Sequence, residues 1–213
     1  MTTETITYYA KRALEYEKIY SKPERQDELG KLKVFLQDEF RGGAVYEAAC
    51  GTGYWTQYIA KAAKSVHACD INEEVLTIAK AKQIENPNVV FHNEDILRKY
   101  NETRFDSLFG GFIWSHIPLE NIHDFLDSVE SRVRFGGKII LIDNSYVEGS
   151  STPISAKDKQ GNTYQRRKLD NGLEYQVIKN FPSEQFIKET ITDHCIKFEY
   201  ISWKYFWILK YYK

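Results

Sequence analysis

Two glycines two positions apart, Gly51 and Gly53, with Glu47 four residues upstream and Asp70 further on, are the residues of this chain best placed to hold a small molecule. Val45 to Ala49 is a short, largely apolar run between Gly42-Gly43 and Gly51, which suits a buried strand entering a tight turn. From Trp55 the period changes, because Trp55, Ile59, Ala62 and Ala63 share one helical face. Strand, glycine turn and helix make a cradle. Glycine turns the backbone tightly and puts no Cβ in a ligand's way, while the free N–H groups of the new helix face the same spot. Farther along, His116 is a group that titrates near neutral pH. Arg166-Arg167-Lys168 and Lys179 concentrate cations on one stretch.

The cradle is incomplete for a dinucleotide. The pyrophosphate fingerprint needs a third glycine three positions after Gly53, and that position is Thr56. Glu47 would repel a pyrophosphate but could accept hydrogen bonds from a ligand's ammonium group. A second strand, Ser65 to Asp70, ends in an acid suited to both ribose hydroxyls. A ligand with an ammonium group, a ribose and no phosphate is S-adenosylmethionine.

Glu47-Ala48-Ala49-Cys50-Gly51-Thr52-Gly53 resembles the first motif of the class I S-adenosylmethionine-dependent methyltransferases, departing at Ala49, where the family usually has glycine. The resemblance implies an α/β fold, a Rossmann-like doubly wound and mostly parallel seven-stranded sheet with helices on both faces. It implies cofactor contacts from Glu47, Ala49, Gly51, Gly53, Tyr54, Trp55, Asp70 and Ile71. Further along, Asp95 would accept from the adenine amine beside Ile96, with a helix cap as the alternative role for Asp95, and Gly110 would let the chain pass close to the methyl donor. Arg12 or Tyr16 of a preceding helix would meet the cofactor's carboxylate.

The elements that must position these residues follow from periodicity. Ile6, Tyr9, Ala10, Ala13, Tyr16 and Tyr20 predict an N-terminal cap helix over 1–22, broken at Pro23, and Leu29, Leu32, Leu36 and Phe40 a second helix. Asn72 is a good N-cap for a helix using Val75, Ile78, Ala79 and Lys82. Val89-Val90-Phe91 and Phe105 to Phe109 read as the third and fourth strands. Ile122, Phe125, Leu126, Val129 and Val133 give a helix ended by Gly136-Gly137, and Lys138 to Asp143 a fifth strand. This βαβα alternation places a ligand at the carboxyl ends of parallel strands. A helix over Ser183 to Ile191 and strands near Cys195 to Ile201 and Tyr205 to Tyr212 close a single domain spanning 1–213.

Bulk composition excludes several classes. Lys+Arg 29 against Asp+Glu 30, net charge -1, supplies no global basic field for nucleic acid. Cys50, Cys69 and Cys195 lack paired metal spacing, so no metal is expected, and Met1 to Thr7 lack a signal-peptide pattern, which predicts a cytoplasmic protein. No apolar run approaches the ~20 residues of a membrane span.

Residues 144–181 exceed what a cofactor domain needs. Asp170-Asn171-Gly172 between two strand-like runs signals a β-hairpin, here expected as a lid over the site mouth. With a three-residue loop and left-handed Gly172, paired residue numbers sum to 342, and Arg167 and Lys179 share an inward face with Leu169 and Val177. The Tyr8-Tyr9, Arg12, Glu15-Tyr16 opening, Gly51 to Thr56, His116 before Ile117-Pro118, and Arg166-Arg167 with Lys179 are similar to the small O-methyltransferases acting on phosphonates, of the dehydrophos-pathway type. That resemblance implies a small anionic acceptor bound by Arg167 and Lys179. A tyrosine of that group falls on Pro23, leaving Tyr20 as the nearest candidate. His116 would be the catalytic or substrate-orienting group. The alternatives are a neutral hydroxyl or nitrogen acceptor with His116 as general base, or a noncatalytic binding protein.

Overall fold

The computed structural model describes residues 1–98, 105–195 and 197–213. Helices α1 (Thr3–Lys11) and α2 (Gln26–Glu39) precede strand β1 (Ala44–Ala48). There follow α3 (Thr56–Ile59), β2 (Ser65–Asp70), α4 (Glu73–Ala81), β3 (Val89–Asn93), β4 (Phe105–Gly111), α5 (Ile122–Arg132) and β5 (Val133–Asn144). Strands β6 (Ala156–Lys157), β7 (Thr163–Lys168) and β8 (Glu174–Ile178) make a separate antiparallel sheet. The chain closes with α6 (Glu184–Thr192), β9 (Phe198–Ser202) and β10 (Phe206–Tyr212).

The main sheet runs β3-β2-β1-β4-β5-β10-β9, parallel except where β10 pairs antiparallel with both neighbours. This is the expected seven-stranded Rossmann-like α/β arrangement. Its strand order reverses between β1 and β4, where an open parallel sheet leaves a crevice at the strands' carboxyl ends. Strand alternation sorts side chains onto two cores. Tyr46, Ile139, Leu141, Trp207 and Leu209 face α5 and α6, whereas Val45, Ile140, Ile142, Phe206 and Ile208 face α2 and α3.

Several elements differ from the sequence expectation. The N-terminal helix is not continuous: α1 stops at Lys11 and the chain tightens into 3-10 turns over Ala13–Ser21. This re-coiling carries Tyr16 and Tyr20 into a file of rings with Tyr9, at centroid spacings of 5.8 and 6.1 Å, and leaves Leu14 93% exposed. Aromatic packing across the site outweighs the helical period. Helix α3 ends at Ile59 instead of running through Ala63, because Asn86 Nδ2 donates to the carbonyls of Ala60 and Ala63 and Gly42 N donates to that of Ala62. Asn72 precedes α4 without capping it; its Nδ2 donates to the Ile6 carbonyl of α1 at 3.3 Å. Strand β5 begins directly after α5, and its pairing with β4 shifts between Phe105 and Ser107. The strand expected from Cys195 begins at Phe198, and residue 196 lies outside the described residues.

The hairpin has the three-residue register. Arg167 faces Tyr175, Tyr164 faces Ile178, and Gly172 has φ +89°. Helix α1 docks along β8, where Glu4 accepts from Gln176 N at 2.8 Å and Tyr8 packs on Leu169 and Val177. The helix therefore lies between hairpin and main sheet.

Ala49, the residue after β1, sits in the left-handed region at φ 52°. For a residue with a Cβ this costs roughly 1–2 kcal/mol. Ala49→Gly relieves the strain but gives the unfolded chain more entropy, about 0.4–1 kcal/mol. The expected outcome is a net stabilisation of roughly 0.5–1 kcal/mol, measured by denaturant titration of the ligand-free protein. A loss of stability would contradict the strain argument.

Candidate active site

The first cavity opens at the ends of β1, β2 and β4, where Ala49, Gly51, Asp70, Ile71 and Gly111 form its base. Val75 and Ile96 give it apolar walls, Glu94 a polar edge, and Ile6, Tyr9 and Tyr16 of the N-terminal segment close it over. Phe112 also lines it, and with Ala49 it is the second non-glycine residue at positive φ among those described. Strained backbone of this kind persists where the surroundings over-determine it, commonly at ligand sites.

Asp70 organises the base. One carboxylate oxygen accepts from Gly51 N at 3.0 Å and the other from Asn72 N at 2.9 Å. Burial pushes its carboxyl up to about 6, against the pull of those N–H donors. Remaining lone pairs on both oxygens are available to a diol. Gly51 thus spends its N–H on Asp70, and a Cβ there would sit 3.5 Å from the Tyr16 ring. Gly53, at φ +76°, serves packing: a Cβ there would lie 3.2 Å from Ala79 Cβ of α4.

Of the cofactor residues expected from sequence, Tyr16, Ala49, Gly51, Asp70, Ile71 and Ile96 line this cavity. Seven do not. Glu47 is 1% exposed beneath the turn, its Oε2 without a hydrogen-bond partner, and burial pushes its carboxyl up to about 8 with Asp70 adding to the rise. Burial therefore opposes its charged form in the ligand-free chain, whereas a ligand's ammonium group beside it would favour that form. Asp95 Oδ1 caps its own turn at Leu97 N, 2.9 Å, and the adjacent Glu94 faces the cavity instead. Burial opposes ionisation of Glu94, but Tyr46 Oη at 2.8 Å and Arg132 Nη2 at 2.9 Å hold its carboxyl below the ordinary range. Gly110 turns toward the core, where a Cβ would meet Leu141 at 2.7 Å, and Gly111 takes its place on the wall. Trp55 and Tyr54 pack behind the site: Trp55 Nε1 donates to Tyr20 Oη at 3.1 Å, and Tyr54 stacks on Tyr20 at 3.8 Å. Arg12 lies beyond, its guanidinium 5.8 Å from the Tyr16 ring.

A second, small cavity continues from the first past Tyr9, Tyr16, Phe112 and His116. Tyr20, Arg12, Arg25, Arg167, Lys179 and Asn144 complete its polar wall, which contains no carboxylate. It leads to a third cavity of about 380 Å³ at the surface, bordered by the hairpin and shared with Arg12, Arg25, Asn144, Arg167 and Lys179. The four candidate substrate residues, Tyr20, His116, Arg167 and Lys179, are therefore brought together.

Their partners define what each can do. His116 Nδ1 lies 2.6 Å from the Ile178 carbonyl, which can only accept, so Nδ1 carries the proton. Nε2 then accepts from Tyr9 Oη at 2.8 Å. Burial, with Lys179 and Arg167 adding to it, depresses the imidazole well below its usual range, leaving it neutral. Arg167 clamps Gln165 Oε1 through Nε and Nη2 and donates from Nη1 to Tyr9 Oη at 3.2 Å. Lys179 is less free than the sequence suggested: Nζ donates to Asp143 Oδ1 at 2.9 Å and to Ser115 Oγ at 2.5 Å. Burial alone would raise Asp143, but that ammonium holds it below the carboxylate range. Sequence reasoning missed Tyr9 as the link between Arg167 and His116, and missed Arg25 altogether, since no periodicity distinguishes a buried arginine from a surface one.

Fold and site together resemble those of the class I S-adenosylmethionine-dependent methyltransferases, and the methyltransferase-domain family Methyltransf_25 matches residues 45–137. Within that class the chain is similar over its length to DhpI. The DhpI–SAH complex is 25% identical, with TM-score 0.77 over 97% of this chain and 94% of that one. The DhpI–SAM–HEP complex is 24% identical, with TM-score 0.81 over 99% and 98%. Malonyl-[acyl-carrier protein] O-methyltransferase 2 of Ilyobacter polytropus is 24% identical over 167 residues, 76% of this chain and 58% of that protein. The chain spans about half the length of the curated relatives it matches. Among the described residues, no helix is long and apolar enough to cross a membrane.

The raised carboxyls make stability pH-dependent. A glutamate whose folded value is about 8 against an ordinary 4.5 contributes stability that is fully present below 4.5 and lost as pH rises toward 8. The Glu47 contribution to stability should therefore fall between pH 5 and 8, against the opposite contribution of His116, whose depressed imidazole favours the fold as pH rises toward its ordinary value. Glu47→Gln should remove part of that slope, with an advantage over wild type on the order of 2–4 kcal/mol by pH 8. Parallel curves for the two proteins would show that Glu47 ionises normally.

Proposed function

We propose that this protein transfers a methyl group from S-adenosylmethionine to an oxygen of a small anionic molecule. One observation carries the reading: Arg12, Arg25, Arg167 and Lys179 converge beside His116 on a cavity wall without a carboxylate, in a chain of net charge -1. The malonyl-[acyl-carrier protein] O-methyltransferases, by their name and similarity, support O-methylation, and the DhpI complexes with SAM and SAH support the donor.

The first cavity fits the cofactor. Its buried Asp70 would hold the ribose diol, Ile71, Val75 and Ile96 would flank the adenine, and Ala49 and Tyr16 would border the methionine portion. When bound, S-adenosylmethionine supplies an electrophilic methyl on a cationic sulfonium. The chain's own work is positioning and exclusion of water. Arg167, with guanidinium protons still unspent, holds the acceptor's oxyanion at the His116 end of the second cavity, where Tyr9, Tyr16 and Phe112 also border the first cavity. An acceptor that is already an oxyanion needs no base, so neutral His116 fixes Tyr9, whose oxygen in turn holds the Arg167 guanidinium that meets the acceptor.

A second reading has its own observation. The unprotonated Nε2 of His116, bonded to Tyr9 Oη, could take the proton of a neutral hydroxyl through that phenol. The two readings separate by pH profile. For an anionic acceptor, His116→Ala lowers turnover but leaves a measurable rate, and the profile follows ionisation of the acceptor. Complete loss of activity, together with a wild-type rate that rises with histidine deprotonation, would select the base mechanism. Labelled donor and a panel of phosphonates, phosphates and carboxylic acids provide the assay.

The hairpin register supplies a sharper test. Arg167 points inward while Arg166 on the opposite face is exposed. Arg167→Ala should raise the acceptor KM roughly 10- to 100-fold, the range of a charge-assisted hydrogen bond. Arg166→Ala should change it little, and neither should alter S-adenosylhomocysteine affinity. The opposite ranking would exclude Arg167 as the anion-binding residue.

A further inference from the structure

Resting on the anionic-acceptor reading, we infer that the acceptor carries a second anionic group, separate from the one that is methylated, and that Arg25 binds it. Arg25 begins as a residue with no sequence signal, at the start of α2. In the fold it is 5% exposed and lines both the second and the third cavity.

Its partners are neutral. Nη1 donates to Asn144 Oδ1 at 3.0 Å, and Nε and Nη2 both donate to Ser150 Oγ at 3.1 and 3.0 Å. The guanidinium lies 5.3 Å from the Tyr205 ring centroid and 5.8 Å from that of Phe206. Among the described residues no carboxylate forms an ion pair with it; Glu24 and Glu28 lie near enough to act on its charge without contact, Glu24 accepting from Ser150 Oγ at 2.7 Å and Glu28 from the N–H groups of Lys204 and Tyr205. The other deeply buried cations of this chain are treated differently: Arg132 has Glu94 and Lys179 has Asp143. A buried charge without a counter-ion is costly, and buried charges are ordinarily paired. Two of the five guanidinium donors remain for such a partner.

The charge is also distinct from the one beside His116. Arg167 is held by Gln165 and Tyr9, Arg25 by Asn144 and Ser150, and the two sets share no residue. Lys22, which donates to the Ser150 carbonyl, adds a second cation on the Arg25 side. One small anion on Arg167 would leave Arg25 unneutralised. A molecule with two anionic groups spanning the joined cavities answers both.

The test is calorimetry on the full chain saturated with S-adenosylhomocysteine, using phosphonoacetate as a two-anion probe and methylphosphonate as a one-anion probe. Phosphonoacetate should bind at least about tenfold more tightly, the scale of one charge-assisted contact. Arg25→Gln should abolish that advantage while leaving methylphosphonate affinity within about twofold, and exposed Lys31→Gln should change neither. Because loss of a buried arginine can unfold a protein, Ser150→Asp provides a second arm: a carboxylate placed on Arg25 should remove the advantage of phosphonoacetate while leaving methylphosphonate affinity within about twofold. Equal binding of both probes to wild type, or an advantage that survives in Arg25→Gln or in Ser150→Asp, overturns the second-anion inference while leaving the anionic-acceptor reading standing. Failure of both probes to bind overturns that reading itself, and the inference with it.

Discussion

The buried carboxylate of Asp70, accepting from Gly51 N on one side and Asn72 N on the other, is the joint on which the site depends. It locks the end of β2 against the turn after β1, and so fixes where Ala49 and Gly51 present their backbone. Burial makes this joint expensive, raising the carboxyl to about 6, and the neighbouring Glu47 is more costly still. Two carboxyls disfavoured as anions beneath a left-handed Ala49 mean that local stability has been given up at the place where a ligand binds. That pattern is common in functional sites, where strain and desolvation are tolerated because bound ligand relieves part of them.

Beyond Asp70 the site changes electrostatic character along its length. The first cavity is edged by Asp70 and Glu94, the second is walled by cations, and the third opens to solvent among cations of the hairpin and the N-terminal segment. A cationic donor and an anionic acceptor would each find the potential that suits it. Tyr9 stands at the boundary, bonded to His116 and Arg167 together. Because α1 carries Tyr9 and is itself seated on β8, the small sheet, the N-terminal helix and the main sheet meet at one phenol.

Much of the architecture was legible from the chain alone, because it rests on periodicities that local chemistry imposes. Alternating residues of β1, β5 and β10 sort onto two cores in the way their pattern requires, and the α5 stripe from Ile122 to Val129 is buried as its spacing predicts. Asn171-Gly172 signalled the hairpin, but two- and three-residue loops both admit a left-handed Gly172, and the three-residue register was selected by the resemblance that sets Arg167 and Lys179 on one face. The turn from Ala49 to Gly53 and the acid at Asp70 were readable because backbone conformation there admits few residue types.

What the sequence could not determine is everything decided by long-range burial. Glu47 and Asp95 carry the right charge at the right interval, yet one is sealed beneath the turn and the other satisfied by Leu97 N, and only packing distinguishes them from Asp70 and Glu94. Lys179 looked free until the fold set Asp143 against it. The N-terminal segment kept its apolar spacing but gave up its helix at Arg12, because rings from three parts of the chain pack better in 3-10 turns. Arg25 had no signal in the chain, since a lone arginine is ordinarily exposed, and its burial against Tyr205, Phe206 and Asn144 unites residues more than a hundred positions apart. Local conformational preference is written residue by residue, whereas desolvation depends on what the whole chain places around each group.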